Sequence, residues 1–205
     1  LANELMRRIM AAEEEVVLFT PYFVPENWGR KRFIELAERG VRVRIITNSL
    51  ASTNHAYVHA GYYRHRKHLL RAGVELHEVR VDAPAHLADS AASVEPELTM
   101  HTKLVVIDRH QVFVGSLNFD PRSIKINTEM GVFIEGGPLA REILERVDKN
   151  IGQFTYRVEL NEKDRLVWRY DGKGEDEIRL SEPDAGIWRR IVVAITALLP
   201  VEGQL

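Results

Sequence analysis

The chain has 205 residues, 45% of them apolar, enough to bury a full core in one large domain or one domain plus an extension. Its formal net charge of −2 excludes a global positive field for nucleic acid, leaving only a local basic patch open, and the absence of cysteine excludes disulfides and thiolate chemistry. No apolar run approaches the roughly 20 residues of a bilayer span, and no signal peptide is visible.

The chain opens at Leu1 in the middle of a helical pattern and so reads as part of a longer protein. Residues 2–13 carry Leu5, Ile9 and Ala12 at helical spacing, with Glu13 to Glu15 as a solvated end. Val16 to Thr20 is a buried strand, and Pro21-Tyr-Phe-Val-Pro25 is a loop. Arg30 to Arg39 is a helix with Phe33, Ile34, Leu36 and Ala37 as its core stripe, ended by Gly40. A strand over Val41 to Thr47, a polar loop to Asn54, a helix over Ala56 to Ala72 closed by Gly73, and a strand over Val74 to Val79 follow. The alternation favours an α/β sandwich, a sheet with crossover helices. Asp82 to Leu98 reads as a long loop. Beyond the hairpin treated next come a strand over Asn127 to Glu135 and a helix over Leu139 to Phe154, started by Pro138. Strand-like pieces at Tyr156 to Leu160, Leu166 to Tyr170 and Glu177 to Leu180 lead to a closing helix, Ile187 to Leu199, stopped by Pro200.

Between these halves lies His101-Thr-Lys-Leu-Val-Val-Ile-Asp108, then Arg-His-Gln-Val-Phe-Val and Gly115-Ser-Leu-Asn118. Strand alternation puts His101 and Lys103 on one face. If Arg109-His110 is the turn, Asp108 faces Gln111, Lys103 lies opposite Ser116 and His101 opposite Asn118. An imidazole, an ammonium, a hydroxyl and a carboxamide would then share one patch. Such a patch suits a phosphate: Lys103 supplies charge, Ser116 and Asn118 neutral hydrogen bonds, and Gly115 close backbone approach. His101 can attack phosphorus when neutral or protonate a leaving oxygen when charged. Asp108, at the opposite parity and beside the turn, is expected to be a structural carboxylate. Glu129 is expected on one imidazole nitrogen of His101, fixing its tautomer.

At these residues the sequence resembles the phospholipase D superfamily, whose signature is H-x-K-x-x-x-x-D followed by G-S-x-N, with a downstream glutamate that Glu129 matches. Pro21-Tyr-Phe-Val-Pro25, Thr47-Asn-Ser-Leu50, Val58-His-Ala-Gly-Tyr62, Gly73-Val-Glu-Leu76, Asp120-Pro-Arg-Ser123 and Leu199-Pro-Val-Glu-Gly-Gln-Leu205 look more narrowly like the C-terminal half of bacterial cardiolipin synthase C-type proteins. The resemblance implies a mixed sheet sandwiched between helices, a lobe over residues 1–155 with one motif, and a small β/α extension over 156–205. It implies phosphatidyl transfer on phospholipids through a phosphohistidine, without metal or other cofactor, at the cytoplasmic face of the bacterial inner membrane as a peripheral protein. Two histidines are needed, so a missing N-terminal half or a homodimer partner is implied as well. Nucleic acid is not expected as a partner. The rival expectations are a homodimeric phosphodiesterase or nuclease of the same superfamily and a non-catalytic membrane-interaction domain.

His65-Arg-Lys67 repeats the His-x-Lys spacing, but on a helix those side chains point about 200° apart, and position 72 is alanine. The Arg64 to His68 cluster is expected to be a solvated helix face. His59 and Tyr62, near a helix start after a strand, are candidates for substrate contact, with helix packing as the even alternative. Tyr22, Phe23 and Trp28 are expected in core packing ahead of an acyl-chain entrance, as are Trp168, Trp188 and the helix over 191–199 ahead of a membrane patch. His55, His77, His86 and His110 show no ligand spacing, so no structural metal is expected.

Overall fold

A computed structural model describes residues 1–83, 99–172 and 177–199. Its centre is made by strands that are apolar on both faces and therefore need cover on both. β1 (Glu15–Phe19), β2 (Arg42–Asn48) and β3 (Glu75–Val79) run parallel, with Val16 beside Val43 and Ile45 beside Leu76. β4 (Leu104–Ile107) returns antiparallel to β1, and β5 (Gln111–Gly115) and β6 (Gly131–Glu135) follow outward. On the other flank β7 (Thr155–Leu160) pairs antiparallel with β3, followed by β8 (Leu166–Tyr170) and β9 (Glu177–Arg179). Among the described residues these form one nine-stranded sheet, ordered β6-β5-β4-β1-β2-β3-β7-β8-β9. The segment after residue 155 thus extends the same sheet.

Helices cover the two faces as the apolar spacing requires. Leu5 and Ile9 of α1 (Ala2–Met10), Phe33 and Leu36 of α2 (Glu26–Glu38) and Leu69 of α4 (Arg66–Arg71) pack on Leu18, Ile45, Val105 and Ile107. On the opposite face Ala140 and Leu144 of α6 (Gly137–Phe154) meet Val17, Ile46, Val79 and Val106. A third cluster joins Ala60 of α3 (Ala56–Tyr63) to Val193 of α7 (Ile187–Thr196) over Leu50 and Ala51. This is the helix-flanked mixed sheet that the sequence implied. The stop signals act as expected: Gly40 and Gly73 take φ of +87° and +89°, and Val41 and Val74 donate back to Leu36 and Leu69.

The helix expected over Ala56 to Ala72 is instead two, broken at Arg64-His65. The break turns Arg66 inward, so the Arg64 to His68 cluster is not a solvated face. Arg66 is 0% exposed, donates to Glu78 at 3.0 Å and to Glu182, and Trp168 Nε1 donates to Glu78 at 2.7 Å. A buried guanidinium persists only when paired, and its partners come from β3 and from far down the chain. Trp168 is in the core as expected, but Trp188 is 76% exposed, as are much of Ile187, Ile191, Val192 and Ile195. α7 binds inward through Val193 and through Arg189, which donates to the carbonyls of Ala51 and Thr53. That contact turns Trp188 and its apolar neighbours outward. A short helix not anticipated, α5 (Pro121–Lys125), follows β5. Most of the Asp82 to Leu98 loop with His86, the stop at Pro200 and the terminal match after Leu199 lie outside the described residues.

The hairpin register differs by one residue from that expected. Asp108, Arg109 and His110 all belong to the turn, and Ile107, not Asp108, pairs with Gln111. Asp108 and Arg109 take φ of +49° and +54°. The cause is Asp108, whose carboxylate accepts backbone N–H bonds from Glu13 (3.0 Å), Glu14 (2.8 Å) and Glu15 (3.1 Å) at the α1–β1 junction. Reaching that junction takes Asp108 out of the ladder. Replacing Asp108 by Ala strands these donors, and a loss of about 2–3 kcal/mol is expected, read by urea denaturation of the variant beside wild type.

Candidate active site

The ends of β1 and β2, the approach to β4 and the exit of β5 meet at one end of the sheet, the C-terminal end of the parallel strands, where α/β folds collect their ligands. Asn48 closes β2 and is buried. Its Nδ2 donates to Met100 O (3.0 Å) and Pro21 O (3.2 Å), and its Oδ1 accepts from Met100 N (2.9 Å). That clamp holds the residue before His101. The sequence marks Asn48 only as a polar residue ending a buried parallel strand. Thr20 ties the Pro21–Pro25 loop down on the other side, donating to Tyr22 O (2.8 Å) and accepting from Phe119 N (3.0 Å).

His101 and Lys103 precede β4 and face each other. Lys103 Nζ lies 3.1 Å from His101 Nε2 and 3.0 Å from His101 O. An ammonium only donates, so Nε2 accepts here and the neutral ring carries its proton on Nδ1. His101 is exposed, whereas Lys103 is 9% exposed, and burial lowers the pKa of its ammonium.

With the shifted register, Lys103 stands opposite Gly115, whose N–H donates to Lys103 O at 3.2 Å. Ser116 and Asn118 are therefore not the cross-strand partners of Lys103 and His101. β5 ends at Gly115, and Ser116 turns toward β6: its N–H donates to Met130 O (2.8 Å) and its Oγ accepts from Met130 N (3.0 Å). Gly115 is required by that approach, since a Cβ there would sit 2.4 Å from Met130 O and 2.9 Å from Gly131 Cα. Glu129 is not on the imidazole. Its carboxylate accepts from Ser116 Oγ and from Asn127 Nδ2 (3.2 Å). Asn118 has a buried carboxamide oxygen with no partner, an unmet acceptor such as native cores rarely leave. Asp120 caps α5, accepting from Ser123 N at 2.7 Å, and the Asp-Pro-x-Ser sequence was its signal.

His59 and Tyr62, the candidates for substrate contact, lie on α3. Both are buried, edge to face at 5.3 Å, beside a void of about 10 Å³. Phe23 is core as expected, while Trp28 is partly exposed and donates to Glu26 at 2.9 Å. Among the described residues no group of three His, Asp or Glu side chains could hold a metal, and none of the other histidines is hydrogen-bonded or stacked with His101.

Burial, with Arg66 and Arg189 opposing protonation and Glu182 favouring it, pushes His59 from 6.5 down to about 3. A folded value below the unfolded one means stability is complete above pH 6.5 and lost as pH falls from 6.5 toward about 3. The slope attributable to this ring is about 1.4 kcal/mol per pH unit. Denaturation midpoints measured across that window should fall less steeply in His59→Leu than in wild type.

A family model described as cardiolipin synthase, PLD-like domain, matches residues 5–151. The chain is 38% identical over 205 residues to cardiolipin synthase C of Escherichia coli (strain K12), an alignment covering 98% of this chain and 43% of that protein. It is 30% identical over 176 residues to cardiolipin synthase A of Pseudomonas aeruginosa (strain LESB58), covering 85% of this chain and 32% of that one. It thus spans less than half the length of these curated relatives. Among solved structures it is similar in fold to a phospholipase D family member, Nuc from Salmonella typhimurium, with a TM-score of 0.57 and 18% identity, covering 77% of this chain and 90% of that one. Phosphatidylserine synthase of Haemophilus influenzae Rd KW20 gives a TM-score of 0.55 at 18% identity, covering 75% of this chain and 35% of that one. With its H-x-K and G-S-x-N segments brought to one end of the sheet, the chain belongs to the PLD-like domain family of cardiolipin synthases.

Proposed function

We propose that this lobe supplies one half of a phosphodiester-transfer site that moves a phosphatidyl group between alcohols, a cardiolipin synthase-like reaction. The observation that carries this reading is the exposed His101 imidazole held against the buried Lys103 ammonium at the end of the sheet where the Gly115-to-Asn118 segment also emerges. A phosphate diester arriving there exchanges the Lys103–His101 contact for charge-assisted bonds from Lys103 and a neutral one from Asn118. The freed Nε2 is then a nucleophile aimed at phosphorus.

In the first step Nε2 forms an N–P bond while the P–O bond to the departing alcohol breaks, and a second histidine protonates that alkoxide. In the second step the same group, now a base, takes the proton of the acceptor alcohol. The new P–O bond forms and the N–P bond breaks. The roles of the two histidines are interchangeable in this scheme. Glu129 holds Ser116 and Asn127 in place along the rim.

The second histidine belongs to another lobe, either in the same parent polypeptide or in a second copy. What supports a docking lobe is the apolar edge beside the site. Met130 is 77% exposed, and Ile126 and Val132 are exposed with it, next to Ser116 and Glu129. Peripheral attachment to a bilayer is part of the same proposal. Among the described residues no helix is long and apolar enough to cross a membrane.

In the protein at its full natural length, His101→Ala should lower phosphatidyl transfer by more than about a hundredfold. It should also abolish any acid-labile lipid adduct on this lobe in rapid-quench mass spectrometry. Unchanged transfer overturns the assignment. Because burial lowers the Lys103 pKa, the ammonium is lost below the ordinary lysine range, and the alkaline limb of the pH–rate profile should fall below pH 10.5. Lys103→Arg, which stays charged, should be slower but move that limb upward.

A further inference from the structure

A second feature opens beside His101, on the face of the sheet opposite to Lys103. Phe19, Ile46 and Leu104 floor a groove of about 570 Å³, and Ile143, Val147 and Ile151 of α6 wall it. His101 and Thr102 are among its lining residues. The groove is open to solvent, its accessible lining is mainly apolar, and its volume lies in the range of about 300–1,000 Å³ usual for small-molecule sites.

Strand parity explains how the groove and the phosphate site come to adjoin. Val105 and Ile107 belong to the core under α1 and α2, and Leu104 and Val106 to the core under α6. Lys103 therefore points to the first side, while Thr102 and Leu104 point to the second. Their Cα atoms are about 3.8 Å from that of Lys103, and His101 sits at the junction. A ligand that spans this junction needs a phosphate at one end and a hydrocarbon at the other.

We infer that this groove seats an acyl chain of the phospholipid whose phosphate binds at Lys103. The inference deepens the proposed function and rests on its phospholipid reading. The two seats together hold the lipid by head and tail, so that phosphorus is presented to His101 in one orientation. Arg146 and Asn150 of α6 contribute polar groups to the lining. Arg146 is paired with Glu142 at 2.8 Å, and Asn150 donates to Arg146 O at 2.7 Å.

Monoacyl glycerol phosphates carry phosphate and tail but lack the second esterified alcohol that the proposed transfer releases, so they report binding without that turnover. Calorimetric titration of the full-length protein with glycerol phosphate and with its butanoyl, hexanoyl and octanoyl esters, all below micelle formation, measures the groove directly. Affinity should tighten roughly tenfold for each two methylenes added. Val147→Trp, which fills the groove from α6, should bind glycerol phosphate like wild type and lose the chain-length increment, with its unfolding midpoint checked alongside. Equal wild-type affinity across the series overturns the acyl seat and leaves the groove to a protein segment. An increment that survives in a folded Val147→Trp overturns its location. Failure of the phosphatidyl-transfer reading shows separately, in the activity of His101→Ala.

Discussion

One carboxylate sets the geometry on which the rest of the lobe depends. Asp108 gathers three consecutive backbone N–H groups from the start of β1, and its own N–H donates back to Glu15 O at 2.9 Å. This locks β4 onto β1 with Val16 opposite Ile107 and Phe19 opposite Leu104. Once that register is set, the residues preceding β4 must emerge at the C-terminal ends of the parallel strands. The same tie forces the three-residue turn, and the turn in turn puts Gly115 opposite Lys103. A contact at one end of a hairpin thus decides what sits at the other, because strand register propagates without loss.

Two buried guanidinium groups anchor the framework. Arg44, within β2, bonds Glu15 at 3.0 Å and pairs with Asp148 of α6, joining the sheet to that helix. Arg66 joins α4 to β3 and, through Glu182, to the segment that leads into α7. Isolated charges in such places would be prohibitive, and apolar replacements of matching shape could be as stable. What these pairs supply is direction: each guanidinium accepts only partners that arrive in its plane, so the helices dock in one orientation. The α7 contact that follows lies over the Ala51–Thr53 loop, and that loop in turn holds Thr99 through Ser52 O at 2.9 Å, two residues before His101.

The site itself is assembled from segments with little regular structure. His101 and Lys103 lie just before a strand, and Ser116 and Asn118 lie just after one. The approach to His101 is placed by the buried Asn48 side chain on Met100, Lys103 by the register that brings Gly115 N–H to its carbonyl, and Ser116 by its bonds with the Met130 backbone. The consequence is a rigid back wall and an open front. Lys103 is buried against His101 O while the imidazole stays accessible, a division suited to a group that must hold charge beside one that must react.

The sequence determined the alternation of strands and helices, because apolar periodicity and glycine stops act over a few residues. Gly40 and Gly73 end their helices as read. It also determined that His101 and Lys103 would meet, since their spacing puts both on one side of an extended segment whatever surrounds it. The choices left to tertiary structure all involve partners distant along the chain. The register of Ser116 and Asn118 depends on Asp108 reaching Glu13 to Glu15, and the fate of Glu129 on Ser116 turning toward β6. The burial of Arg66 depends on Glu182, 116 residues away. The exposure of Trp188 depends on Arg189 being drawn inward by backbone carbonyls of another loop. Local pattern shows that a side chain is apolar or charged. Only the packed chain decides which of its faces meets a partner and which meets solvent.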